Sequence, residues 1–180
     1  MPGFNFKHMR YLFFLLLFPF VAPCQTVHIH KEKIVYTGSE KTNGLADTVL
    51  FGRAKLAIAA YVKNNDMQAV GDSSITTEGI IVLSSPYSII KKLHYKLILV
   101  TGNNSYHYHI DSVYLSQKER GEKAKKITSK ELFKNMEVSG PVAMNTEILL
   151  NEIDMRIQQL LDMIKNEITK PAGLASALQQ

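Results

Sequence analysis

The sequence contains no tryptophan and a single cysteine, Cys24, in 180 residues. One cysteine cannot close a disulfide within the chain, so the fold has to rest on a packed core rather than on cross-links. There are no internal repeats and no low-complexity tracts. No phosphate loop, HExxH pair or calcium loop occurs, and no nucleophile sits in an elbow or beside a glycine-rich turn. Those absences leave no residue to name as catalytic, and no cofactor is expected. The apolar run from Tyr11 to Ala22 is twelve residues long, short of the roughly 20 that a membrane-spanning helix needs.

That run does suit the apolar centre of a secretory signal. Lys7 and Arg10 precede it, and Ala22-Pro23-Cys24 follows as a small-x-small site with cleavage before Gln25. Residues 1–24 therefore read as a signal peptide, and Cys24 leaves with it. In the alternative, Cys24 is the acylated first residue of a lipoprotein, although Pro23 is larger than the residue that usually precedes such a cysteine. Either way the expected location is outside the cytoplasm, in the periplasm or cell envelope of a Gram-negative bacterium. The signal carries two basic residues and no acid, so the remaining 156 residues hold nineteen Lys and Arg against sixteen Asp and Glu. Much of the apparent basicity thus belongs to targeting, and nucleic acid is not implied.

After a lead-in at 25–32, Lys33 to Gly38 reads as a strand ended by glycine. Leu50, Ala54, Ala57, Ile58 and Tyr61 recur at helical spacing, which predicts a helix over Asp47–Lys63 with one buried side, ended by Asn64-Asn65-Asp66. Four extended segments follow, "MQAVG", "EGIIVLS", "KLHYKLILVT" and "SYHYHIDSVYL". If Asn103-Asn104 turn the last two into a hairpin, Leu99 faces Tyr108, Leu97 faces Ile110 and Leu93 faces Tyr114. Tyr95 and Tyr106 share that apolar face, because side chains alternate along a strand. The opposite face carries His94, Lys96, Ile98, His107, His109 and Asp111, with Lys96 across from Asp111 and His94 across from Val113. One face is core and the other polar, as expected of an antiparallel sheet covered on one side.

Residues 117–128 read as a charged loop, in which Lys118, Arg120, Lys123, Lys125 and Lys126 stand against two acids. Such a loop is solvated, or it contacts an anionic surface such as lipid headgroups. A helical extension over 129–170 comes next. It comprises a short helix capped by Ser129 and a longer one capped by Asn145, whose apolar stripe runs through Ile148, Leu149, Ile153, Ile157, Leu160, Leu161, Ile164 and Ile168. Pro171 and Gly173 end it, and residues 171–180 form a tail.

The order strand, helix, four strands, helix is that of half a TATA-binding-protein (TBP) fold. The stretches "KIVYTGSEKTNGLADTVLFGRAKLAIAAYV", "TTEGIIVLSS" and "LHYKLILVTGNNSYHYHIDSVYL" resemble the exported bacterial domain-of-unknown-function family 4468. In that family a Val-Tyr strand leads through a Gly-Leu step into a helix with an Arg-Ala-Lys segment. A Gly-Ile strand and a hairpin with a Tyr-x-Tyr strand follow. The likeness covers about Lys33 to Leu115, and the long C-terminal helix is similar as well. Ala57 stands where members often carry tryptophan. The resemblance implies an α+β, TBP-like fold over 33–116 and an exported location. It implies no activity and no site residues, because these motifs pack and turn the chain, and DNA binding does not travel with the fold.

The one chemical constellation is His107-x-His109-x-Asp111, whose two imidazoles project the same way about 7 Å apart. With a third ligand such a pair can hold zinc, but Lys96 already accounts for Asp111 and His94 is displaced along its strand. His28-x-His30 is a second pair near the expected mature N-terminus. Two functions follow from the sequence. The first is a non-enzymatic envelope domain that acts as a binding or structural module, its partner an envelope protein or an anionic surface. The alternative is a small metal-dependent or hydrolytic enzyme using the His107/His109 face.

Overall fold

The computed structural model describes residues 26–30, 33–42, 44–62, 67–84 and 89–170, with side chains from residue 33 onward. Strands β1 (Thr26–His30) and β2 (Lys33–Lys41) lead into helix α1 (Asp47–Tyr61). Strands β3 (Gln68–Val70), β4 (Ser74–Leu83), β5 (Ile90–Gly102), β6 (Ser105–Lys118) and β7 (Lys125–Thr128) follow, then helices α2 (Ser129–Met136) and α3 (Pro141–Thr169). The strands form one antiparallel sheet in the order β1-β2-β6-β5-β4-β3, with β7 also paired to β6.

The sheet is organised around the β5–β6 hairpin. Asn103 and Asn104 both have φ of 55°, the left-handed geometry that asparagine tolerates and that a two-residue turn needs to match strand twist. Leu99 faces Tyr108, Leu97 faces Ile110 and Lys96 faces Asp111, as expected. Beyond Lys96 the register slips by one, so that Leu93 faces Leu115 rather than Tyr114, and His94 faces Tyr114 rather than Val113. The cause is a bulge in β6 at Ser112, whose φ is 55°. An extra residue there inverts the alternation, so Val113 and Leu115 enter the core and Tyr114 moves to the open face.

Two strands exceed the expected count. Residues 25–32 include β1, which pairs with the first half of β2. The charged segment 117–128 includes β7, so only Arg120 and Lys123 of its five basic residues lie between strands. The other differences are at helix ends. Thr128, not Ser129, caps α2, because Thr128 and Glu131 form a reciprocal capping box. Helix α3 starts at Pro141 rather than after Asn145. Gly140 takes φ of 95° and proline is well suited to the first helical position. Ile148 then falls on the outer side of α3, 57% exposed, while Ile153, Ile157, Leu160, Leu161, Ile164 and Ile168 are buried. Lys63, Asn64-Asn65-Asp66, residues 1–24, Gln25 and the 171–180 tail lie outside the described residues.

One sheet face is covered. Leu50, Ala54, Ala57 and Ile58 of α1 and the buried stripe of α3 share a core with Leu93, Tyr95, Leu97, Leu99, Tyr108 and Ile110. Ala57 is fully buried there. Two glycines make room for the tyrosines. A Cβ on Gly38 would lie 2.3 Å from the Tyr108 hydroxyl, and one on Gly79 would lie 2.2 Å from the Tyr95 hydroxyl. Each glycine is the cross-strand neighbour of its tyrosine, so the phenol lies flat across it.

Arg53, in the Arg-Ala-Lys segment, closes the far end of α3. Its Nη1 donates to the carbonyl of Ile168 at 3.0 Å and to that of Lys170. A cation bonded to the terminal carbonyls satisfies acceptors that the helix itself leaves open and opposes the dipole. Arg53→Ala is expected to cost about 1–2 kcal/mol in urea unfolding. A loss below about 0.5 kcal/mol would assign these bonds no stabilising role.

Candidate binding face

The second sheet face has no helix over it among the described residues. Even positions of β5 and, up to the bulge, odd positions of β6 point there. Ile98 and His109 face each other, as do Val100 and His107, and Lys96 and Asp111. The expected polar face is therefore real, and it carries His94, Lys96, His107, His109 and Asp111.

The bulge adds Tyr114 to it. The His94 and Tyr114 rings stack with centroids 4.5 Å apart and planes within 3°, and the Lys126 ammonium sits 4.1 Å from the Tyr114 centroid. The ring is thus held between an imidazole and a cation, an arrangement favoured by the negative π face. His94 Nε2 also bonds Ser116 Oγ at 2.8 Å. Burial holds the His94 imidazole below its ordinary pKa, helped by Lys92 and Lys126 and opposed by Glu78. A neutral ring next to lysines leaves them to set the charge of this region.

His109 and Asp111 meet, with Nε2 to Oδ2 at 3.2 Å, and Ser112 Oγ donates to Asp111 Oδ1 at 2.9 Å. The carboxylate thus stands between imidazole and hydroxyl. A base that activates a serine must touch that serine, and here Asp111 separates them, so the chain of bonds orients side chains without making a nucleophile. His107 is exposed one step further along β6. Among the described residues, no group of three or more His, Cys, Asp or Glu could hold a metal ion. His28 and His30 lie on β1, at the positions paired with Val35 and Lys33. Cys24 lies outside the described residues.

The Tyr114 stack was missed from sequence, and a signal for it existed. The apolar alternation of Tyr106, Tyr108 and Ile110 resumes at Val113 and Leu115, one residue out of phase across Asp111-Ser112. Of the basic residues from 118 to 126, Lys126 joins the face through β7, and Arg120 and Lys123 are exposed at the turn beyond it.

Fold and face together define an α+β domain of TBP-like class. No protein-family model matches the sequence, and no curated protein does. The chain is similar to the crystal structure of a TBP-like protein from Parabacteroides distasonis. That match has 13% identity and a TM-score of 0.58 over 78% of this chain and 97% of the other. It is also similar to a DUF4468 family protein from Bacteroides ovatus, at 12% identity and a TM-score of 0.56 over 81% of this chain and 91% of the other. The fold anticipated from the Val-Tyr, Gly-Ile and Tyr-x-Tyr segments is the fold found. Identities this low carry architecture and no activity. No described helix is long and apolar enough to cross a membrane.

Proposed function

We propose that this chain is an exported cell-envelope member of the DUF4468 family that works as a binding module through its open sheet face. The observation that carries this reading is the contrast between the two faces. One is sealed by α1 and α3, whereas the other presents the Lys126-Tyr114-His94 stack together with exposed Val82 and, further along β5 opposite His107, exposed Val100. Fixed aromatic and cationic groups on a face that also exposes apolar side chains are what recognition surfaces use. Lys118 and Lys125 at the joined ends of β6 and β7, with Arg120 and Lys123 in the turn between them, extend the same positive region. The partner is then an envelope protein or an anionic surface.

A photo-reactive benzoylphenylalanine at Ile98, on the open face, should yield adducts in the native host. The same group at Leu56, 69% exposed on α1, should yield none. Adducts from Leu56 alone would move the binding surface to the helices and end this reading. Export has its own test. The intact mass of the native protein should correspond to a chain beginning at Gln25. An acylated chain beginning at Cys24 would make it a lipoprotein, and a full-length product would remove export.

A further inference from the structure

Strand β4 is covered unevenly at its two edges. Its residues from Ser74 to Leu83 all pair with β5, whereas β3 reaches only from Ser74 to Thr76. Among the described residues, no strand lies beside Thr77 to Leu83 on that outer edge. The Ser73 carbonyl accepts from the Thr101 N–H at 2.7 Å, and backbone groups then alternate between the two edges of an antiparallel strand. Those of Ile75, Thr77, Gly79, Ile81 and Leu83 turn to β5, and those of Glu78, Ile80 and Val82 turn outward. Ser84 is next in the outward series, and its N–H donates to Glu152 Oε1 of α3 at 2.7 Å. The open stretch thus runs from the end of β3 to the Glu152 contact.

That stretch lacks the devices that keep sheet edges apart. Exposed edge strands are usually blunted by lysine, proline or a bulge. Gly79 to Leu83 hold neither charge nor proline, and their register with β5 is unbroken. Val82 is 60% exposed, and Ile80 and Ile81 are half-buried. The outward backbone groups of Ile80 and Val82 have no partner among the described residues, and such a row beside apolar side chains fits an added β-strand. The stretch also fits itself. In an antiparallel pairing of two copies centred on Ile81, Ile80 of each copy meets Val82 of the other, and both backbone groups of each residue find partners. Ile81, which packs at the margin of the core, meets its own counterpart, and Gly79 meets Leu83. Glu78 falls opposite Ser84, so no like charges oppose one another across the pair.

We infer that the outer edge of β4 is a self-association surface, on which a second copy of this chain adds its own β4 and joins the two sheets into one. The pairing is short, so the dimer is reversible and forms in the micromolar range rather than being permanent. It goes beyond the binding role of the open face and does not depend on it, because the edge lies to the side of that face. The test is sedimentation velocity of the purified native protein at rising concentration, which should show a monomer passing into a dimer. Ile80→Lys sets a charge against the apolar Val82 of the second copy. Val82→Pro removes an outward N–H and none of the bonds to β5, a substitution that edge strands accept. Each should raise the dissociation constant by about tenfold or more. Melting close to that of the wild type, verified first, separates loss of the edge from loss of the fold, and Ile80→Lys carries the test alone if the proline perturbs the strand. Val100→Lys, exposed on the open face away from this stretch, should leave association unchanged. A wild type that stays monomeric up to about 500 μM would overturn the inference, since even weak interfaces associate below that. So would a dimer that survives both edge variants, or one that Val100→Lys weakens as much, which would place the contact on the face instead.

Discussion

Leu97→Asp is expected to unfold the domain under conditions in which Ile98→Asp leaves it folded. Leu97 is fully buried between Ile110 and Thr77 and beneath the helices, so aspartate there loses the apolar burial and places a carboxylate in the core, where the nearby Lys165 is already paired with Glu40. About 4 kcal/mol or more of stability should disappear. Ile98 points to the open face, half-buried beside His109 and Thr76, where a carboxylate stays hydrated and the loss should be near 1 kcal/mol. Urea midpoints for the two variants give the comparison directly. Equal losses, or the reverse order, would mean that the two sheet faces have been exchanged.

Gly79→Ala should be the most damaging small substitution in the sheet. A methyl group there would start 2.2 Å from the Cζ and Oη of Tyr95. Tyr95 is only 3% exposed, and burial drives its phenol pKa upward, as expected for a ring enclosed by apolar side chains. It has nowhere to swing. Overpacking of this kind costs about 2–3 kcal/mol. The cost belongs to the pair rather than to the glycine, so Gly79→Ala made in a Tyr95→Leu background should cost under about 1 kcal/mol. If the alanine is equally harmful with and without the tyrosine ring, the close approach is not what the glycine is for.

These two positions also mark how far sequence reasoning reached. The alternation through Leu93, Tyr95, Leu97 and Leu99, together with Asn103-Asn104, is a strong local signal, because strand period and turn type are set by neighbours in the chain. It located the hairpin and its core face, and its opposite face contained His107, His109 and Asp111. What it could not locate was anything decided across the sheet. Strand β7 is a four-residue charged segment that becomes a strand only because the second half of β6 lies unpaired beside it. The tyrosine–glycine pairs require knowing that β2 and β4 flank the hairpin.

The sheet order also sets a sequence of events in time. Strands β5 and β6 are joined by two residues and can close within microseconds, but β6 then waits for Tyr36 and its neighbours, far back in the chain, and for β7 ahead of it. The covering residues from Ile153 to Ile168 come last of all. A chain that crosses a membrane N-terminus first would therefore present the apolar side of its central hairpin to water until its final helix arrives. During that interval the same Leu93, Leu97 and Leu99 that later make the core are open to any passing chaperone or to a second unfinished copy.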